Sequence, residues 1–221
     1  MIRQHYRERG ISLSILVDPD TLAGRGRGIF FESALNSDAN SINVMATMGR
    51  GVVSAALSAS RAYALGLQPL KHAVERDHMP MYVTSVEAAA CTETGISAAE
   101  RALTIRTLGD PHCDTEDIVT PGHIMPAIVP ETISGNPNLS TFAFDYAHRY
   151  AGSEAIAWCD ILDEEGETAS SEECIALAKR LFVPALVRRG DAAIDIRYLE
   201  GIGTRPELQI DSDGLAMGQF A

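Results

Sequence analysis

The sequence predicts an α/β domain, on two observations. Short apolar runs suited to strands alternate along the chain with capped, amphipathic stretches suited to helices. No internal repeat or linker breaks that alternation, and 221 residues suffice for one domain with a substantial core.

In order, Leu13 to Val17 alternates apolar and small polar residues and reads as a strand ending at Asp18-Pro19-Asp20. The loop Gly24-Arg25-Gly26-Arg27-Gly28 can bring backbone N–H groups and two guanidiniums to an anion, and Ile29 to Phe31 is a second strand. Ser37 is placed to cap a helix with apolar Ile42, Met45 and Ala46, closed by Gly49. Gly51 to Leu57 reads as a buried strand, Ser60 to Leu65 as a helix stopped by Gly66, and Lys71 to Met79 as a polar connection. Met81 to Glu87 is a further strand. Ser140 can cap a helix carrying Ala143, Tyr146, Ala147 and Tyr150, ended by Gly152. Ala155 to Leu162 is a strand, Ser170 and Glu173 mark a capping box for a helix reaching Leu181, and Pro184 to Val187 is the last strand.

The stretch from Thr94 to His123 holds the densest chemistry. Ser97 and Glu100 have capping-box spacing, with Glu100 expected to reach back to Ser97; Gly109 stops the helix. Thr92 to Gly95 crowd hydroxyls and free backbone at its N-terminus, which makes Thr94 part of a candidate anion site. A short acidic linker then leads to Pro121-Gly122-His123, read as a Pro-Gly turn or a site.

Composition excludes several functions. A net charge of −12 leaves no basic surplus for phosphate backbones, so nucleic acid is not an expected partner. No apolar run approaches a membrane span, and the N-terminal MIRQHYRERG has no apolar core of a secretion signal. Cys91, Cys113, Cys159 and Cys174 lie far apart with no C-x-x-C pair, which fits reduced thiols and a cytoplasmic location. His112-Cys113-Asp114 lacks further metal-ligand partners, Cys159 reads as a buried structural thiol, and the acids from Asp163 to Glu167 read as solvated.

Met48-Gly-Arg-Gly51, Val83-Thr-Ser-Val-Glu87, Thr94-Gly-Ile-Ser-Ala-Ala-Glu-Arg101 and Pro121-Gly-His-Ile-Met-Pro126 occur in that order. With the weaker Asp145–Gly152 and Cys159–Gly166 segments, the chain from about Leu13 to Tyr198 resembles the 3,4-dihydroxy-2-butanone 4-phosphate synthase family of riboflavin biosynthesis. The resemblance implies a single-domain α/β sandwich over 13–200, an N-terminal extension 1–12, a tail 201–221, and a homodimer with sites formed across the interface. It implies an enzyme of lyase or isomerase type acting on ribulose 5-phosphate with Mg²⁺. His123 matches the family's essential Pro-Gly-His.

The family's acidic loop, D-D-E-D-R-E-N-E-G-D, is replaced here by Asp18-Pro-Asp-Thr-Leu-Ala-Gly-Arg-Gly-Arg-Gly28. Its R-x-G-H-T-E signature is matched only by Asn136-Pro-Asn-Leu-Ser-Thr141, which puts Leu139 in the metal histidine's place and Thr141 in the glutamate's. The family's Cys-Glu is Cys159-Asp160, and its cysteine after Gly-Arg-Gly is Ser54. Because Mg²⁺ requires hard oxygen ligands, no metal or other cofactor is expected here, and the parent reaction by the parent mechanism is not expected either. The expectation is a metal-independent enzyme acting by acid/base chemistry on a small anionic polyhydroxy or keto compound. His123 and Asp160 would be catalytic; Arg25, Arg27, Thr94, Ser140 and Thr141 would bind substrate, with the arginines replacing the metal's charge. The alternatives are a non-catalytic paralogue that binds a metabolite or partner, and a true synthase.

Overall fold

The computed structural model describes residues 11–19, 26–70, 81–130 and 138–188, with the strand residues 209–210 and 216–217. Arg25, Asp20, the 71–79 connection, the first ten residues and most of the segment after 188 lie outside the described residues.

A seven-stranded mixed sheet forms the centre, in the order β4-β7-β3-β8-β2-β1-β9. Its strands are β1 (Ser14–Asp18), β2 (Arg27–Ser33), β3 (Ser54–Ser58), β4 (Met81–Tyr82), β7 (Pro126–Val129), β8 (Ala155–Asp160) and β9 (Ala185–Val187). A separate antiparallel ribbon pairs β5 (Val86–Ala88) with β6 (Ile118–Ile124). The short strands β10 (Gln209–Ile210) and β11 (Ala216–Met217) pair with each other.

Both faces of the sheet are covered, so its strands are apolar on both sides rather than alternating. On one face Leu16, Ile29, Phe31, Ile156 and Trp158 pack with Phe142, Ala143 and Tyr146 of α4 (Leu139–Ala151). On the other, Ile15, Val17, Phe30, Leu57 and Cys159 join a core shared with α1 (Ala39–Val44), α2 (Ala59–Ala64), α3 (Ala98–Gly109) and α5 (Ser171–Leu181). The result is the expected α/β sandwich.

The helix starts follow local chemistry, with two shifts from the sequence reading. Asp38, not Ser37, caps α1, its carboxylate accepting from the Asn40 and Ser41 amides; the helix then widens into a π turn over Met45–Gly49. Asn138, not Ser140, caps α4, because its Oδ1 accepts from the Thr141 amide at 2.9 Å. Ser97 caps α3, and Ser170 with Glu173 forms the full capping box on α5. The Met81–Glu87 run is divided: its first residues join the main sheet and its last the ribbon. Pro121 and Gly122 are not a turn but lie inside β6.

Candidate active site

The register brings one set of polar residues to one end of the sheet. Asp18 pairs with Arg27, and Ile29 with Asp160, so the end of β1, the start of β2 and the end of β8 meet there. The start of β3 and the start of β7 reach the same end, since Ser54 pairs with Trp158 and Ala55 with Pro126. Asp18, Arg27 and Asp160 alternate in phase with Leu16, Ile29 and Trp158, which places them on the α4 side.

Within this group Asp18 and Arg188 are buried and joined, Nη1 to Oδ2, at 2.9 Å. Arg188 also lies over the Phe142 ring at 4.1 Å, a cation–π contact that fixes it beneath α4. The Arg27 Nε is 3.9 Å from the same Asp18 oxygen. Desolvation at the sheet end raises the Asp160 carboxyl above its usual range, and the nearby Arg27 cation acts against that rise. Burial also raises the Tyr82 phenol, with a further push from the charge of Asp160, so Tyr82 borders the same space.

A second group sits on the ribbon. His123 Nδ1 and Glu87 Oε1 share a hydrogen bond, with His123 half exposed and Glu87 mostly buried. An ionised carboxylate only accepts, so the Nδ1 that bonds it carries a proton. Two glycines allow this approach. A Cβ on Gly122 would overlap the Val86 and Glu87 backbone, and one on Gly95, whose φ is +75°, would overlap the Glu87 carboxylate. Glu87 was given no role from sequence although it ends the Val83-Thr-Ser-Val-Glu87 motif, because 36 residues separate it from His123.

Other expected site residues are occupied locally. The Thr92, Glu93 and Gly95 amides, read as an anion site beside Thr94, all donate to the Glu100 carboxylate at 2.7–3.0 Å. Glu100 therefore reaches beyond Ser97 and fills the site itself; these bonds, led by that from Glu93, hold its carboxyl below the usual range. Thr94 is exposed. Ser140 and Thr141 are buried, and both hydroxyls donate to the Asn138 side chain, so the cap engages them. Cys159 is fully buried, donates to the Met45 carbonyl at 3.4 Å, and has its thiol pushed up to about 12 by burial, which makes it an inert core thiol.

Arg27 and His123 lie on different elements, the start of β2 in the main sheet and β6 of the ribbon. β3 and β8 separate β2 from the β7 edge where the ribbon joins, three strand spacings or about 14 Å. In the main sheet Arg27 lies near Asp160, and its cation acts on that carboxyl. Arg25 lies outside the described residues.

Leu139, which the resemblance sets at a metal histidine's position, offers no ligand atom. It is buried among apolar side chains, and the Asp18 carboxylate is taken up by Arg188. No group of three His, Cys, Asp or Glu side chains converges as a cation site among the described residues.

The profile of the 3,4-dihydroxy-2-butanone 4-phosphate synthase family matches residues 14–187, the whole of the sheet from β1 to β9. The chain belongs to this family. The riboflavin biosynthesis protein RibBA of Bacillus subtilis is 30% identical over 174 residues, 78% of this chain and 43% of that one. The 3,4-dihydroxy-2-butanone 4-phosphate synthase of Wolinella succinogenes is 28% identical over 166 residues, 75% of this chain and 47% of its own. The chain thus spans less than half the length of these curated relatives. Among solved structures, RibBX, a two-domain synthase from A. baumannii, superposes with a TM-score of 0.70 at 27% identity, covering 84% of this chain and 54% of that one. No helix among the described residues is long and apolar enough to cross a membrane.

Proposed function

We propose that this chain is an acid/base enzyme acting on a small ketose phosphate, with ribulose 5-phosphate as the substrate to which its synthase relatives point. The observation that carries this reading is the Glu87–His123 pair. A carboxylate that holds Nδ1 leaves Nε2 as the ring nitrogen free to take a proton, suited to removing one from carbon next to a carbonyl. Asp160 serves as the second proton carrier, and Arg27 beside it binds the developing negative oxygen.

These two groups are half-sites in one chain, and a homodimer joins them. Ile96, Val119 and Met125, on the segments around the Glu87–His123 pair, are exposed apolar side chains, as expected of a face that a second copy covers. No step is assigned to a metal.

A second reading, turnover without metal to a product other than the synthase's, is favoured by the donor set: Leu139 cannot ligate and Asp18 is engaged by Arg188. The experiment is ribulose 5-phosphate conversion followed by carbon NMR, with Mg²⁺ and with chelator. Formate and the four-carbon phosphate, lost on chelation, support the synthase reaction. Conversion that survives chelation supports the second reading. No conversion under either condition rejects both.

A further inference from the structure

On the sheet face opposite α4 lies a groove of about 380 Å³ that the proposed reaction does not use. Its walls are the π turn Met45–Gly49 with Arg50, the chain leaving β8, and α5. Met48, Ile161, Leu162 and Leu177 give it an apolar lining, and the volume falls within the range of small-molecule pockets.

Its charges are unequally committed. Asp163 accepts the Glu165 and Glu167 amides at 3.1 and 2.8 Å, and Glu173 accepts the Ser170 amide and hydroxyl at 2.8 and 2.7 Å. Both acids therefore hold their own loop and helix cap. Glu164 meets Arg50 only at 3.7 Å, with side chains 87% and 45% exposed, a pairing of little strength that a ligand can displace. Arg180, in the last turn of α5, adds a second guanidinium from another wall.

The backbone is built to present Arg50. This residue has φ 63° and ψ −6°, the left-handed region that non-glycine side chains rarely occupy. The conformation is held by the bridge from Arg50 to Ile161 and by the Leu162 amide donating to the Gly49 carbonyl at 2.9 Å. A π turn ahead of a strained arginine, both on a groove wall, is an arrangement that recurs at ligand sites.

We infer that this groove binds a small organic phosphate monoester, its dianion held by Arg50 and Arg180 and its apolar body on Met48, Ile161 and Leu177. Arginine suits phosphate because its planar fork offers parallel N–H donors. The site stands on the opposite face from Arg27 and Asp160 and does not rest on the reaction assigned there.

The test is calorimetric titration of the full chain with phenyl phosphate, against inorganic phosphate and phenol as the anion and the body alone. The expected result is saturable binding at least about tenfold tighter than either control, weakened about tenfold or more by Arg50→Ala or Arg180→Ala. Arg50→Ala keeps the left-handed backbone cost unchanged, and Arg180 is exposed, so both variants should fold. His123→Ala and Asp160→Asn should leave this binding unchanged. Absence of saturation up to about 10 mM, or wild-type affinity in both arginine variants, overturns the proposal.

Discussion

The Glu87 carboxylate holds the imidazole of His123 by Nδ1 across the β5–β6 ribbon. Two glycines permit it: Gly122 brings the strands together, and Gly95 leaves room for the carboxylate. Removing the imidazole with His123→Ala should lower turnover by about 10²–10⁴-fold. Glu87→Gln keeps the shape but no longer demands the Nδ1–H tautomer, so it should reduce turnover and alter the pH profile. Rates within twofold of wild type in both variants would remove the pair from the mechanism.

Gly122→Ala should damage the same pair through the backbone. The added methyl meets the Val86 carbonyl group and the Glu87 amide, which cannot move as a flexible side chain can. A loss of about 3 kcal/mol in denaturant unfolding, or a ribbon opened to amide exchange, is expected. An unchanged midpoint and unchanged exchange would show that the ribbon tolerates wider spacing.

Arg61 is a structural counterpart to these functional residues. It is buried, and its guanidinium donates to the carbonyls of Leu108, Cys113 and Thr107 at 2.8, 2.9 and 3.1 Å, closing the C-terminal end of α3. Arg61→Met retains bulk but leaves those acceptors unpaired, which should cost about 3–5 kcal/mol in urea unfolding. A cost below about 1 kcal/mol would mean that water replaces the guanidinium.

Glu32 predicts a pH dependence of stability. It is buried in β2, and burial raises its carboxyl from 4.5 to about 7, against the lowering effect of the Ser41 and Ser37 hydroxyls. Between these values the folded chain holds a proton that the unfolded chain has released, so stability falls as pH rises through the window. The Glu32 contribution to that fall is about 3 kcal/mol, and Glu32→Gln should remove it. Urea midpoints measured at about pH 5 and about pH 8 should therefore converge in the variant relative to wild type. Equal pH dependence in the two proteins would contradict the assignment.

Much of the fold was legible because it is written locally. Ser97, Ser170 with Glu173, and Gly66 each mark a helix boundary within a few residues, and the core strands are apolar runs. The cap of α4 was less clear because Asn138 and Ser140 compete within three residues and only the packed backbone selects between them. The site was legible only in part. Ordered motifs led to His123 and Asp160, but Glu87 is joined to His123 by a ribbon whose strands lie far apart in sequence. The amides near Thr94 looked open because a glutamate three residues past its cap is expected to return to that cap, whereas Glu100 extends to the loop before it. Arg27 was assigned from its glycine-rich loop and charge, and the register of β2 on β8 sets it near Asp160, which sequence spacing does not show.

The central claim is that Glu87–His123 of one subunit and Asp160 with Arg27 of another form one site. It is tested most directly by mixing two inactive variants, His123→Ala and Asp160→Asn, under conditions that let subunits exchange, and assaying ribulose 5-phosphate conversion. In a homodimer with shared sites, half of the reassorted dimers carry one intact site, so the mixture should regain about a quarter of wild-type activity. A mixture that stays as inactive as its components, although exchange is shown by sedimentation of tagged subunits, would contradict the shared site.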